Sequence, residues 1–298
     1  MANIRRILRL PPSNTRNSKR FTRSIYGNVA ITVVVLLMAA ILALPLVFAV
    51  VSAFKPIEEI FIFPPRFFVQ NPTLDNFSDL GKYISDLWVP FPRYLFNSII
   101  ITTVSTVGNI LICSACAYPL ALHKFPGRET LFNIVVVALM FVGQVTFLPR
   151  YLVMAKLGMI DTWFALILPD MATSLGVFLM KQFMEQLPMS IIEAARIDGY
   201  NELKIYWHIV MPNVKPAWLT LVIFSFQGIW NDTSASTMVF TESLRTLPTA
   251  LSQVAGGGIA RVGAASAAAL LLMLPPIILF IIAQNRVVET MAFAAIKE

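Results

Sequence analysis

The sequence predicts an all-α membrane protein: six transmembrane helices, a cytoplasmic helix–turn–helix elbow after the fourth, and both termini cytoplasmic. Three observations carry that reading. The chain is 57% hydrophobic and only 13% charged, with a mean hydropathy of +0.73, where soluble chains carry about 25% charged residues. Six apolar runs reach the roughly 20 residues that cross a bilayer as a helix. Arg5, Arg6, Arg9, Arg16, Lys19, Arg20 and Arg23 all precede the first of those runs. Such a cluster holds its end of the chain on the cytoplasmic side. The net charge of +7 is therefore assigned to a membrane surface and not to nucleic acid.

The elements follow in order. Residues 1–27 form the basic segment, 28–285 the transmembrane domain and 286–298 a cytoplasmic tail. The first span covers Val29–Phe54, too long for a cleaved signal and without a small-residue exit. An outer loop, 55–97, is too short for a core of its own and is expected to lie on the outer face as short helices. The second span is Ser98–Leu122. It holds Cys113 and Cys116, whose C-x-x-C spacing lacks a His or acidic partner and reads as packing. Leu131–Pro149 and Trp163–Met184 are the third and fourth spans, Ala217–Ser236 and Gly263–Ala283 the fifth and sixth. Between the last two lies a second outer loop, 237–262, read as flexible about Gly256, Gly257 and Gly258 because ordering three glycines costs backbone entropy. The Lys and Arg residues divide fifteen inside to eight outside in this topology, the expected bias.

The loop 187–216 is an island of charge and amphipathic pattern between apolar runs. Pro188 suits a first helical turn, and Ser190 with Glu193 has the spacing of a capping box. Ile191, Ile192, Ala194, Ala195 and Ile197 recur at helical spacing. Gly199 can then end the helix in the left-handed region. A second short helix, Asn201 to Val210, is expected to stop at Pro212, with Pro216 re-aiming the chain. Small residues at the bend, Ala194, Ala195 and Gly199, suit a docking surface.

Polar groups inside spans are costly and usually face a bundle interior. Asn109, Gln144, Thr146, Asp170, Thr173, Ser174, Gln227, Asn231 and Asp232 are the candidates. Most single Ser, Thr or Asn residues simply bond a helix carbonyl. Asp170 and Asp232 differ, because a carboxylate at membrane depth is rarely incidental. Trp230-Asn231-Asp232 sets an aromatic ring beside an amide and a carboxylate, a combination that suits a sugar's C–H face and hydroxyls. Helix packing would use the same tryptophan.

The spaced pattern Glu193-Ala194-Ala195, Asp198, Gly199, Ile209, Pro212 resembles the EAA loop of permease subunits in binding-protein-dependent ABC importers. Tyr200 and Met211 depart from that family's usual residues, and both keep the elbow apolar. Phe61, Pro64, Thr73, Asn76 and Phe77, the turn Phe125-Pro126-Gly127-Arg128, the Trp230–Asp232 segment, and Gln284, Val288, Ile296 and Lys297 are similar to the carbohydrate branch, of the maltose-transporter type. The resemblance implies a subunit that carries a sugar or oligosaccharide across the cytoplasmic membrane. It implies that ATP and Mg are bound by a partner ATPase dimer, with no cofactor on this chain. A second permease subunit and an extracellular or periplasmic solute-binding protein are the other implied partners, besides membrane lipid. Glu193 through Pro212 would couple to the ATPase. Asp170, Gln227, Trp230, Asn231 and Asp232 would border a substrate path. Leu247 to Gly258 would reach the binding protein, and Met291–Glu298 the ATPase.

The chain has no G-x-x-x-x-G-K-[ST], so it carries no P-loop of its own. Acid-rich metal motifs, a G-x-S-x-G elbow and intramembrane histidines are absent from the sequence, which argues against an intramembrane hydrolase. Two alternatives stand: the same architecture serving a non-sugar solute, or a secondary transporter. The latter calls for an internal repeat and a paired charge at the midplane, and neither is evident.

Overall fold

The computed structural model describes residues 25–64, 66–85, 89–258 and 261–295. The seven N-terminal cations, and Ile296 and Lys297, lie outside them. The chain divides into two units, 1–48 and 49–298. Every regular element among the described residues is helical. Helix α1 covers Ile25–Ala53 and its residues 29–48 are exposed, as a segment rich in Val, Leu and Ile is when it crosses lipid instead of lining a core.

In the larger unit, α2 (Ile57–Ile60) and α3 (Asp75–Ser85) precede the long α4 (Phe91–Leu122). At 32 residues, α4 is about 48 Å long. It begins seven residues before the expected Ser98, because Pro90 with Pro92 starts a helix well: neither needs an N–H partner in the first turn. Helices α8 (Ser174–Met184) and α12 (Lys215–Trp230) pack along α4. A Cβ on Gly176 would meet the Cys113 sulfur at 2.6 Å, so α8 lies this close to α4 only because residue 176 has no side chain. The last helix, α14 (Val262–Ala295), packs on α12 and α3.

Four segments are long and apolar enough to cross a membrane: Val29–Ala53, Phe91–Leu122, Trp163–Met184 and Val262–Gln284. Two further spans require bent pairs, and here the structure departs from six simple helices. The expected span Leu131–Pro149 is α5 (Arg128–Ala138) and α6 (Gly143–Lys156), turned through 111° at the break. The expected fifth span starts two residues early and ends at Trp230, not Ser236. The fourth, Trp163–Met184, is also discontinuous: α7 (Trp163–Ile167), a 3-10 turn over Leu168–Met171, then α8. Pro169 and the extended Ala172 and Thr173 interrupt its ladder.

The second loop is also more ordered than its glycines suggest. Residues Leu247–Ala255 form α13, with Leu247, Ala250, Leu251 and Val254 buried against Leu80, Tyr94 and Ala267. Gly256, Gly257 and Gly258 follow it and are exposed.

Candidate functional site

The elbow is built on α9 (Met189–Ile197). Pro188 is the N-cap, without a side-chain cap bond, so the expected Ser190–Glu193 capping box does not form. With the helix starting at Met189, Ser190 already lies inside the first turn. Its C-terminus does close as the glycine predicts. Asp198 is the C-cap, Gly199 has φ +83°, the Tyr200 N–H bonds the Ala195 carbonyl at 3.0 Å and the Gly199 N–H bonds that of Arg196 at 3.1 Å. These two bonds are the Schellman pattern. A Cβ on Gly199 would meet no neighbour within 4 Å, so the chain needs glycine here for its dihedral angle alone.

Asn201 then caps α10 (Glu202–Ile205) by accepting from the Lys204 N–H at 2.8 Å. Pro212 does not end the helix. A wide π-turn over Tyr206–Val210 precedes it, in which the Met211 N–H bonds the Tyr206 carbonyl, and α11 (Met211–Asn213) continues the helical path. Proline brings no N–H, and the loosened turn leaves room for its ring. The redirection comes later, at Val214 before Pro216, where the chain bends by 77° into α12.

One face of the elbow is core. Ile192, Ala195, Ile205, Tyr206, Val210 and Val214 are buried with Tyr118, Met180 and Met184 of α4 and α8. The other face is open. Glu193, Ala194, Asp198 and Pro212 are exposed and Ile209 half-buried. A cleft of 490 Å³ runs between Ile191, Ala194, Asp198, Tyr200, His208 and Ile209. Ile197, 86% exposed, stands beside it. Ile191 and Tyr200, which line the cleft, are 44% and 42% exposed, so Ile197 is one of several apolar side chains exposed on this elbow.

Sequence reasoning missed the group that ties this elbow to the bundle. The Glu202 carboxylate accepts from the Tyr118 hydroxyl at 2.6 Å, pairs with Arg196 at 3.0 Å and has His123 Nε2 at 3.2 Å. It thus connects the α9 helix to the last turn of α4. Beneath it, Ser114 Oγ and Tyr206 Oη meet at 2.5 Å. The Phe125–Arg128 turn adds a second tie: Arg128 donates to the Leu120 and Ala121 carbonyls and to Glu185, which also holds Lys181 at 2.7 Å. A guanidinium is well placed there, since the final carbonyls of α4 lack helical partners.

Asp170 and Asp232 do come together, Asp232 lying two residues beyond the end of α12. Asp170, Thr173, Phe224, Ser225, Ile229 and Asp232 line a cavity of 230 Å³ between the broken fourth span and α12. Asp170 is paired with Arg150 at 3.3 Å. The buried Asn109 supports the wall, donating to the Asp170 carbonyl and Thr173 Oγ1 and accepting from Ser225. Trp230 is elsewhere: its indole is buried, donates to the Leu272 carbonyl at 3.0 Å and stacks on Phe226. Gln227 and Asn231 are exposed and bonded to one another through the Gln227 carbonyl at 2.9 Å. Among the described residues no cluster of three metal-ligating side chains occurs.

At the end of the bundle away from the elbow, Asp161 clamps the segment after α12. It sits at φ +60°, an angle aspartate tolerates better than most residues. Its carboxylate accepts from the Thr241 hydroxyl at 2.6 Å and from the Thr241 and Phe240 N–H groups. The hydroxyl first, then the amides, hold its pKa below the ordinary 3.8. A carboxylate lowered in the folded state contributes stability above its ordinary pKa and loses it as pH falls through the lower value. The clamp is therefore expected to be unchanged between pH 7 and 5 and to loosen only below about 3.8. Amide exchange at Phe240 and Thr241, corrected for its intrinsic rate, checks this. In Asp161→Ala the same amides should exchange fast throughout that range.

A discontinuous helical bundle with two carboxylates on one cavity and an exposed elbow at one end fits a membrane transport component. The chain belongs to the family of binding-protein-dependent transport system inner membrane components, whose pattern matches residues 29–292. It is 36% identical over 200 residues to Protein LplC of Bacillus subtilis, covering 65% of this chain and 64% of that protein. It is 31% identical over 222 residues to the arabinooligosaccharides transport system permease protein AraQ of Halalkalibacterium halodurans, covering 72% and 77%. In fold it is similar to a chain of a bacterial ABC transporter involved in import of the acidic polysaccharide alginate. That likeness has a TM-score of 0.72 at 21% identity and covers 87% of this chain and 95% of the other.

Proposed function

We propose that this permease carries a sugar or oligosaccharide inward across the cytoplasmic membrane, powered by ATP hydrolysis in a separate ATPase dimer. The observation that carries the reading is the elbow. Its outer face is an open cleft that mixes Ile191, Ala194 and Ile209 with Asp198 and His208, while its inner face is locked to α4 through Glu202 and to the shared core. A push on α9 therefore has a direct path into the spans. Both termini and the elbow are cytoplasmic in this reading. A second permease subunit completes the pathway, and a solute-binding protein delivers cargo near Gly256–Gly258.

Glu193, Ala194, Ala195, Asp198, Gly199, Ile209 and Pro212 form or support the ATPase contact. Asp170 and Asp232 border the path of the solute, and hydroxyls of Thr173 and Ser225 beside them suit a polyol. Trp230 acts through packing, and Gln227 and Asn231 stand at the exposed side of α12. The relatives named for oligosaccharide transport support the cargo class. The mechanism is alternating access: ATP-driven closure of the partner moves the elbow between two positions, and the spans follow as rigid bodies.

Purification from mild detergent with this chain as bait tests the reading. A P-loop ATPase, a second permease and a binding protein should co-purify, with hydrolysis raised by one saccharide. A chain that elutes alone and moves solute in liposomes on an ion gradient, without ATP, overturns it in favour of a secondary transporter.

A further inference from the structure

The segment 57–74 carries exposed aromatic rings on a frame held by buried polar bonds. Glu59 within it is 6% exposed, and Lys55 and Asn76, which flank it, are 4% and 3% exposed, while its Glu58, Arg66, Gln70 and Asn71 lie on the surface. Glu59 accepts from the Gln70 N–H at 2.8 Å, Lys55 donates to the Arg66 carbonyl, and Asn76 donates to the carbonyls of Ala53 and Lys55 at 3.0 and 2.7 Å. Thr73 is tied to Phe54 at 3.0 Å. The apolar groups turn outward: Phe61, Phe63, Phe68 and Leu74 are 53%, 92%, 70% and 67% exposed. In water alone such aromatic area gains by burial, whereas rings set beside exposed charged and amide groups suit the interfacial level of a membrane. Because the internal bonds fix this arrangement, the outward aromatics are a built surface and not a fraying one.

Depth is set by what the segment is attached to. Asn76 bonds the carbonyl of Ala53, the last residue of the apolar span Val29–Ala53. It also lies against the first turn of the span Val262–Gln284, where a Cβ on Gly263 would come within 2.1 Å of its Oδ1. The loop is thus pinned at the level where two membrane-crossing segments meet the aqueous boundary. Aromatic side chains are at home there, with the rings among acyl chains and the backbone among headgroups.

We propose that residues 57–74 form a lipid anchor, with Phe61, Phe63 and Phe68 inserted in the interface of the leaflet opposite the elbow. The anchor holds this end of the bundle at fixed depth while the elbow end moves. Photo-crosslinking tests it in the native membrane with the importer's other subunits present. Benzoylphenylalanine is placed at Phe63 or Phe68, exposed positions where an enlarged aromatic disturbs no packing, and at Ile278 within the α14 span as the reactivity control. Adducts carrying one phospholipid mass at 63 and 68, at a yield within a few-fold of the control, are the expected result. Adducts of protein mass mean that a subunit covers the surface. No adduct at either position while Ile278 reacts means that it faces water. Either of these overturns the proposal, and neither bears on whether the chain works with an ATPase.

Discussion

Glu202→Ala is expected to lower ATP-driven uptake about tenfold while the protein still reaches the membrane at its normal level. One carboxylate joins Arg196 on the α9 side of the elbow to Tyr118 at the end of α4. A hydrogen bond to a charged group contributes about 1.5–3 kcal/mol. The Glu202 side chain is 49% exposed, which places its share just below that range, about 1.4 kcal/mol, or a factor of ten. The elbow's buried face, from Ile192 to Val214, keeps the fold without it. Hydrolysis by the assembled complex should continue, so the ratio of sugar moved to ATP consumed is what falls. Tyr118→Phe should produce part of the same loss, and the double variant should be no worse than Glu202→Ala alone. Strict additivity of the two would show that the pair does not act as a unit.

Gly199→Val is expected to abolish coupling, and Gly199→Asn to retain most of it. The φ of +83° costs an ordinary L-residue about 1–2 kcal/mol and a β-branched one more, whereas asparagine visits this region readily. Nothing in this chain would collide with a side chain at 199, so the folded subunit alone accepts asparagine. Uptake by the asparagine variant near the unmodified level assigns Gly199 a purely conformational role. Loss in both variants, at equal amounts of membrane protein, means that the ATPase itself approaches too closely for any side chain.

What the sequence showed and what it hid have identifiable physical causes. The long runs at α1, α4 and α14 were legible because hydropathy alone defines a continuous span. The 111° break between α5 and α6 was not: Leu139-Met140-Phe141-Val142 is as apolar as the helices it separates, and average hydropathy carries no directional information. Helix α13 did leave a trace. Leu247, Ala250, Leu251 and Val254 follow i, i+3, i+4, i+7 spacing, but the triple glycine after them drew the whole stretch into a loop. The fourth span announced its interruption through Pro169, which went unread, beside Asp170, read only as a polar site.

The site divides in the same manner. Gly199 and the small residues around it follow from local chemistry, so spacing alone revealed them. Glu202 was silent because its partner Tyr118 is 84 positions away; a lone glutamate early in a helix looks like ordinary capping charge. Asp170 and Asp232 could be suspected singly, yet only the packing of α12 beside the broken span places them on one cavity. Trp230 illustrates the reverse. Its neighbours suggested a ligand platform, and the folded chain uses the ring to seat α12 on α14.

The π-turn at Tyr206–Val210 has an angular consequence. In a regular helix, residues five apart point about 140° away from each other. Ile205 and Val210 are five apart and both are fully buried, at 0% exposure. By winding less per residue, the turn brings the two onto one side and keeps the segment in phase with the bundle from Glu202 through Val214. Azimuth, rather than sequence length, is what this stretch must conserve. A chain of this family with one residue fewer between its Gly199 and its Pro212 would keep the same facing with a regular α-turn, because residues four apart point only about 40° away from each other.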